Sequence, residues 1–154
     1  NVLHDPDLIE IGNVKELIEG DFKLLKNFLK NLKKKGIDEI DLVCGGPPCQ
    51  AYSGIGHRRS YSTDRKNQPI AKLYKDMAEI IKHVKPKLFL FENVRGLLSA
   101  RWTKEGEKGE IFKDVVKTFS SIEGYKIAWS LLHSKNYGVP QKTKVARRDA
   151  FRIA

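Results

Sequence analysis

The pattern between residues 40 and 91 restricts the fold more than any other stretch. Ile40 to Cys44 is a short apolar run that reads as a buried strand. It stops at Gly45-Gly46-Pro47-Pro48, a turn stiffened by proline. Ile70, Leu73, Tyr74, Met77, Ile80, Ile81 and Val84 then recur at helical spacing until Pro86, and the stripe, Met77 included, reads as core. Leu88-Phe89-Leu90-Phe91 is apolar throughout, the mark of a strand covered on both faces. Strand, helix, strand is a crossover unit, so the two strands run parallel. The predicted class is α/β, an open and mostly parallel sheet with helices on both faces.

Other elements fit around this unit. Leu8 to Ile11 reads as a short strand closed by Gly12-Asn13. From Lys15 to Lys35, the spacing of Ile18, Phe22, Leu25, Leu29 and Leu32 predicts one helix, closed by Gly36. Lys33, Lys34 and Lys35 suit the negative end of its dipole and read as a solvated helix end. Ile111, Phe112, Val115, Val116 and Phe119 predict another helix. Ile127, Trp129 and Leu131 alternate as a strand, and Phe151 to Ile153 reads as a last one.

At 154 residues the chain has the size of one domain. Its formal charge of +10 favours a polyanionic partner, nucleic acid before membrane. Cys44 and Cys49 make neither a disulfide framework nor a metal knuckle, and the four histidines are scattered, so no metal is expected. No long apolar run is present and no membrane is expected; the reading is a reducing, cytosolic context.

Open parallel sheets bind ligands beyond the carboxyl ends of their strands. Cys49 stands just past one such end, with Glu92 and Asn93 just past the other. Topology thus brings a thiol and a carboxylate into one crevice. Packing as a small hydrophobe is an equally common fate for such a cysteine, and Glu92 alone would fit a helix cap or an ion pair. From Gly45 to about Pro69 no period appears, and connections of this kind usually run about 2–6 residues. His57, Arg58, Arg59, Tyr61, Arg65 and Lys66 give that segment a basic and aromatic mix suited to a nucleic-acid backbone; the plain alternative is a surface loop.

Pro47-Pro48-Cys49-Gln50 with Ser53, Glu92-Asn93-Val94, and Tyr137-Gly138-Val139-Pro140-Gln141 resemble, in order and spacing, the motifs of the cytosine-5 DNA methyltransferase family. Gly12-Asn13-Val14 is similar to a further short motif of that family, on the cofactor side. The resemblance implies a Rossmann-like methyltransferase fold, S-adenosylmethionine as cofactor and double-stranded DNA as partner. It implies a bacterial cytoplasmic or nucleoid-associated enzyme of the restriction-modification kind. Cys49 would be the nucleophile adding to cytosine C6. Glu92 would assist at ring N3, which requires a protonated carboxyl or a base already bound to it. Asn93 would hold the turn, Pro48 would shape the wall near the exocyclic amine, and Pro47 and Asn13 would face the cofactor. Gln50, Ser53, Arg58, Arg59, Gln141 and Arg147 would contact DNA. The target base would have to leave the duplex, and loop 51–69 would close over it.

The chain also departs from the family pattern. No glycine-rich cofactor loop is found, Asn13 stands where an acid is usual, and Thr143 falls where a middle arginine would stand. The expectation is therefore a part of a catalytic domain, lacking the N-terminal cofactor strand-loop and the target-recognition domain. Such a chain should be a poor methyltransferase by itself. It would be a fragment, or one chain of a split enzyme whose second chain supplies the missing motifs. The alternative is a non-catalytic relative that binds nucleic acid.

Overall fold

The structure is a computed structural model that describes residues 14–48, 69–138 and 149–153. The helices are α1 (Glu19–Lys34), α2 (Leu73–Val84) and α3 (Glu110–Ser120). The strands are β1 (Leu42–Gly45), β2 (Leu88–Val94), β3 (Trp129–His133) and β4 (Asp149–Ile153), in the order β1-β2-β4-β3. β1 and β2 are parallel, with Leu42 opposite Leu88 and Gly45 opposite Phe91. β4 lies antiparallel to both β2 and β3, so β1, β2 and β3 share one direction. The fold is α/β.

Alternation along β2 decides what each of its faces meets. Phe89, Phe91 and Asn93 are buried on one face, while Leu88 and Glu92 are exposed on the other. The buried face packs on α2 through Tyr74, Met77, Ala78 and Ile81, and on α3 through Ile111, Val115 and Phe119. Phe119 sits with its ring centroid 5.2 Å from both Phe89 and Phe91, within the range where aromatic pairs attract. Tyr125 meets Phe89 edge-on, and its hydroxyl donates to the Pro86 carbonyl. Tyr74 donates likewise to the Asp114 carboxylate, tying α2 to α3.

Three expectations need correction. β1 is not a buried strand: Leu42 is half exposed and Cys44 exposed, because β1 is the edge of the sheet and α2 packs on one side of it. Leu88 is likewise 39% exposed, so β2 is fully covered on one face only. The helix expected over 15–35 breaks near its start. A short 3-10 turn at Val14–Leu17 precedes α1, and Gly20, Asp21 and Phe22 take left-handed backbone before the regular helix. Gly20 adopts that conformation at no steric cost; of the two residues that follow, Asp21 meets Lys26 at 2.7 Å and Phe22 stacks on His83, centroids 3.6 Å apart. The strand expected at Leu8 to Ile11 lies outside the described residues.

Burial holds the Asp76 carboxyl above its ordinary 3.8, with Lys15 pulling the other way. A raised carboxyl binds its proton more tightly in the native chain, so stability falls as pH rises above 3.8. Asp76→Asn should therefore be more stable than the parent at neutral pH. The side chain is partly exposed, which keeps the gain at about 0.5 kcal/mol or less. The gain should vanish below pH 3.8, as urea unfolding at both pH values would show.

Candidate active site

The parallel pairing of β1 with β2 ends at Gly45 opposite Phe91. Beyond it the chain turns through Gly46, Pro47 and Pro48, while β2 continues through Glu92 and Asn93 to Val94. Glu92 and Asn93 thus belong to the strand rather than lying past its end. β4 is the reason, since it pairs Arg152 with Glu92, Phe151 with Asn93 and Ala150 with Val94, and so prolongs the ladder.

Asn93 is the one buried polar side chain in this core, 1% exposed among the described residues. Its amide donates to the Pro47 carbonyl at 3.0 Å, and its oxygen accepts from the Val94 backbone N–H at 2.9 Å. Both ends of the amide are satisfied, as burial requires. The bond joins residues 46 positions apart and fixes the proline turn against β2.

Glu92 points the other way by strand alternation and is exposed. Its carboxylate lies over Gly46 so closely that a Cβ there would sit 2.9 Å from Oε2. A side chain at Gly46 would push this carboxylate aside. At Gly45 the neighbour is Met77, whose Sδ would be 3.1 Å from an added Cβ, so α2 presses directly on the end of β1.

β3 ends at this same pole. Its following turn, Ser134–Tyr137, leads into Gly138 at φ 74°, with Tyr137 67% exposed. A groove of about 350 Å³ lies at the opposite pole, among Leu29, Leu32, Ile37, Ile40 and Val84, away from these residues.

Pro47, Pro48, Glu92 and Asn93 are thus gathered within one turn and one strand end. Asn13, Cys49, Gln50, Ser53, Arg58, Arg59, Gln141 and Arg147 lie outside the described residues, as does most of the expected loop. Two residues went unnoticed in the sequence. Gly46 reads only as part of a turn, and Arg152, opposite Glu92 in the register, carries no motif. Among the described residues no three His, Cys, Asp or Glu gather as a metal site would need, and no helix is long and apolar enough to cross a membrane.

A turn beyond the carboxyl ends of parallel strands is where open α/β sheets bind their ligands. The profile of the C-5 cytosine-specific DNA methylase family matches residues 12–144, and the chain belongs to that family. It is 37% identical over 119 residues to the type II methyltransferase M.FnuDI of Fusobacterium nucleatum, covering 77% of this chain and 31% of that protein. It is 34% identical over 127 residues to M.Sau96I of Staphylococcus aureus, covering 82% and 26%. A crystal structure described as an E. coli prophage DNA modification methyltransferase superposes over 92% of this chain and 31% of its own, with TM-score 0.57 and 24% identity, which supports the fold. The chain spans about a quarter to a third of the length of these relatives.

Family membership implies S-adenosylmethionine as methyl donor. The described residues fit one wall of such a site. The Gly45–Pro48 turn offers backbone and apolar ring surface, and no acid for a ribose.

Removing the Asn93 amide leaves the Pro47 carbonyl and the Val94 N–H without their partner. Asn93→Ala should cost about 1–3 kcal/mol in urea unfolding and expose residues 45–50 to proteolysis. Gly46→Ala should act differently: stability changes little, while the Glu92 carboxylate is displaced. The carboxyl carbon resonance of Glu92 reads this, and an unmoved resonance would show that the two are not in contact.

Proposed function

We propose that this chain carries the nucleophile-bearing part of an enzyme that methylates C5 of cytosine in double-stranded DNA. One observation above the others supports the reading. The Asn93 bond to Pro47 fixes the proline turn against β2, and the Glu92 carboxylate lies over Gly46, three residues before Cys49. The chain spans under a third of M.FnuDI, so the reaction is proposed for a pocket completed in cis or by a second chain.

Cytosine C5 is unreactive until a nucleophile adds at C6. The Cys49 thiolate forms that bond, and the ring electrons move toward N3. Glu92 donates a hydrogen bond or proton to N3, which steadies the negative charge and leaves C5 as an enamine-like carbon. S-adenosylmethionine would supply an electrophilic methyl group to C5, its S–CH3 bond breaking to leave a neutral thioether; Pro47 would line its wall and Asn13 would stand toward its adenine. Loss of the C5 proton to water re-forms the C5–C6 double bond and expels the Cys49 thiolate, and N3 returns to Glu92 any proton it took. Asn93 acts through the turn as a positioning residue, and Pro48 lines the base. Gln50, Ser53, Arg58, Arg59, Gln141 and Arg147 hold the DNA. The base reaches the thiol by leaving the stack, at a cost of about a few kcal/mol in lost pairing and stacking.

Addition at C6 makes the C5 hydrogen exchangeable with water, which isolates the step that belongs to this chain. In a completed enzyme, duplex DNA tritiated at cytosine C5 should release label to solvent. Cys49→Ala should lower that release by about 10³-fold or more while leaving DNA binding in place. Release by the alanine variant at the parent rate would remove Cys49 from the role.

A further inference from the structure

The three described helices distribute charge in two different ways. α2 carries Lys75 and Lys82 against Asp76 and Glu79, and α3 carries Lys113 and Lys117 against Glu110 and Asp114. Their charges pair: Lys82 meets Glu79 at 2.7 Å, and Lys75 meets Asp114 at 3.4 Å. α1 is unlike them. From residue 23 to residue 35 it has Lys23, Lys26, Lys30, Lys33, Lys34 and Lys35 and no acid at all.

Helical spacing puts most of these lysines on one side. Lys23, Lys26, Lys30 and Lys33 follow one another at intervals of three or four, Lys34 lies four beyond Lys30, and all five are exposed, with Asn27 and Asn31 beside them. The apolar side of the helix is turned inward: Leu25 is buried, and Leu29 and Leu32 line the groove beside Val84. Among the described residues, Lys26 meets Asp21 at 2.7 Å, while Lys23, Lys30, Lys33 and Lys34 meet no carboxylate. Like charges at these spacings weaken a helix. The helix dipole accounts for the cations of the last turn, and it does nothing for Lys23 or Lys30, which lie further from the end. A row of mutually repelling cations on an otherwise amphipathic helix works against the fold and points to a polyanion that offsets it.

We propose that this face of α1 is a second contact for duplex DNA, separate from the strand-end site. Lys23 to Lys34 spans about 16 Å at 1.5 Å per residue, against a duplex with one negative charge per about 1.7 Å of axis. The row runs along the helical flank toward the amino ends of the strands, because the chain leaves α1 to enter β1 at Leu42. A face of lysines and asparagines reads no base; it holds the phosphate backbone of any sequence and raises the local concentration of DNA. A membrane surface is the poorer partner. It would need apolar side chains beside the cations, and those of α1 face the protein. The choice of DNA rests on the substrate class of the proposed reaction.

The test is the salt dependence of duplex binding by the 154-residue chain. Replacing Lys23, Lys30, Lys33 and Lys34 by Gln should lower the log–log salt slope by about 2 to 4, at roughly 0.9 per lost contact, and weaken binding about tenfold or more at low salt. The same change at Lys104, Lys108, Lys117 and Lys126 removes equal charge elsewhere and should leave the slope near the parent value. A Lys→Arg version of the row should bind like the parent, with circular dichroism reporting helix content for each variant. An unchanged slope in the Gln variant, equal losses in the control, absence of duplex binding by the parent, or tighter binding of anionic phospholipid vesicles than of duplex would each overturn the proposal. Failure of the proposed reaction would be seen separately, as tritium release that does not depend on Cys49 while the salt slope still depends on α1.

Discussion

A single buried amide sets the geometry of the site. Asn93 is enclosed at the end of β2, where an unpaired amide would carry a desolvation penalty of about 1–3 kcal/mol. It avoids that penalty by bonding forward to the Val94 N–H and across to the Pro47 carbonyl. The second bond makes the position of the proline turn a consequence of the position of β2. Strand alternation then does the rest: if Asn93 points into the core, Glu92 must point out of it, over Gly46. One hydrogen bond therefore orients two further residues that it does not touch.

The turn itself has little freedom to move. Proline restricts the backbone at 47 and 48, and α2 presses Met77 against Gly45 just before them. Close approach on both sides explains the glycine pair better than turn propensity does. Gly45 admits the helix behind the sheet, and Gly46 admits the carboxylate in front of it. A side chain at Gly45 would press on Met77, and one at Gly46 would displace the Glu92 carboxylate.

Much of this was legible in the sequence because period and chemistry agreed. The α2 and α3 stripes are strong and uninterrupted, and their apolar residues are the ones that meet Phe89 and Phe91. The parallel β1–β2 pair followed from the crossover rule, and the motifs located the turn. What was not legible depends on partners distant in sequence. The helical period runs through residues 18–22 without a break, since period does not register that Gly20 can leave the helix or that His83 will receive Phe22. An apolar run does not say whether it becomes a central or an edge strand, so β1 looked buried. The extension of β2 through Glu92 to Val94 depends on β4, which is paired across more than fifty residues. No local signal announces that Gly46 and Glu92 touch.

The core itself is drawn from a short span. Its buried members run from Ala71 to Ile122, taking in α2, β2, the turn after it and α3, and Val43 joins from the side. Rings packed at 5.2 Å and the Tyr74–Asp114 and Tyr125–Pro86 ties all fall within that span. Contacts close in sequence form at low cost in loop entropy. The rigid part of the chain is therefore the part that carries Glu92 and Asn93, and the turn before Cys49 is attached to it at Met77 and at Asn93. The packing beneath β2 thus fixes the residues of the candidate site that the structure describes. Glu92 and Asn93 stand on the strand whose inner face meets both α2 and α3, and groups carried on a packed strand are held more precisely than groups on a loop.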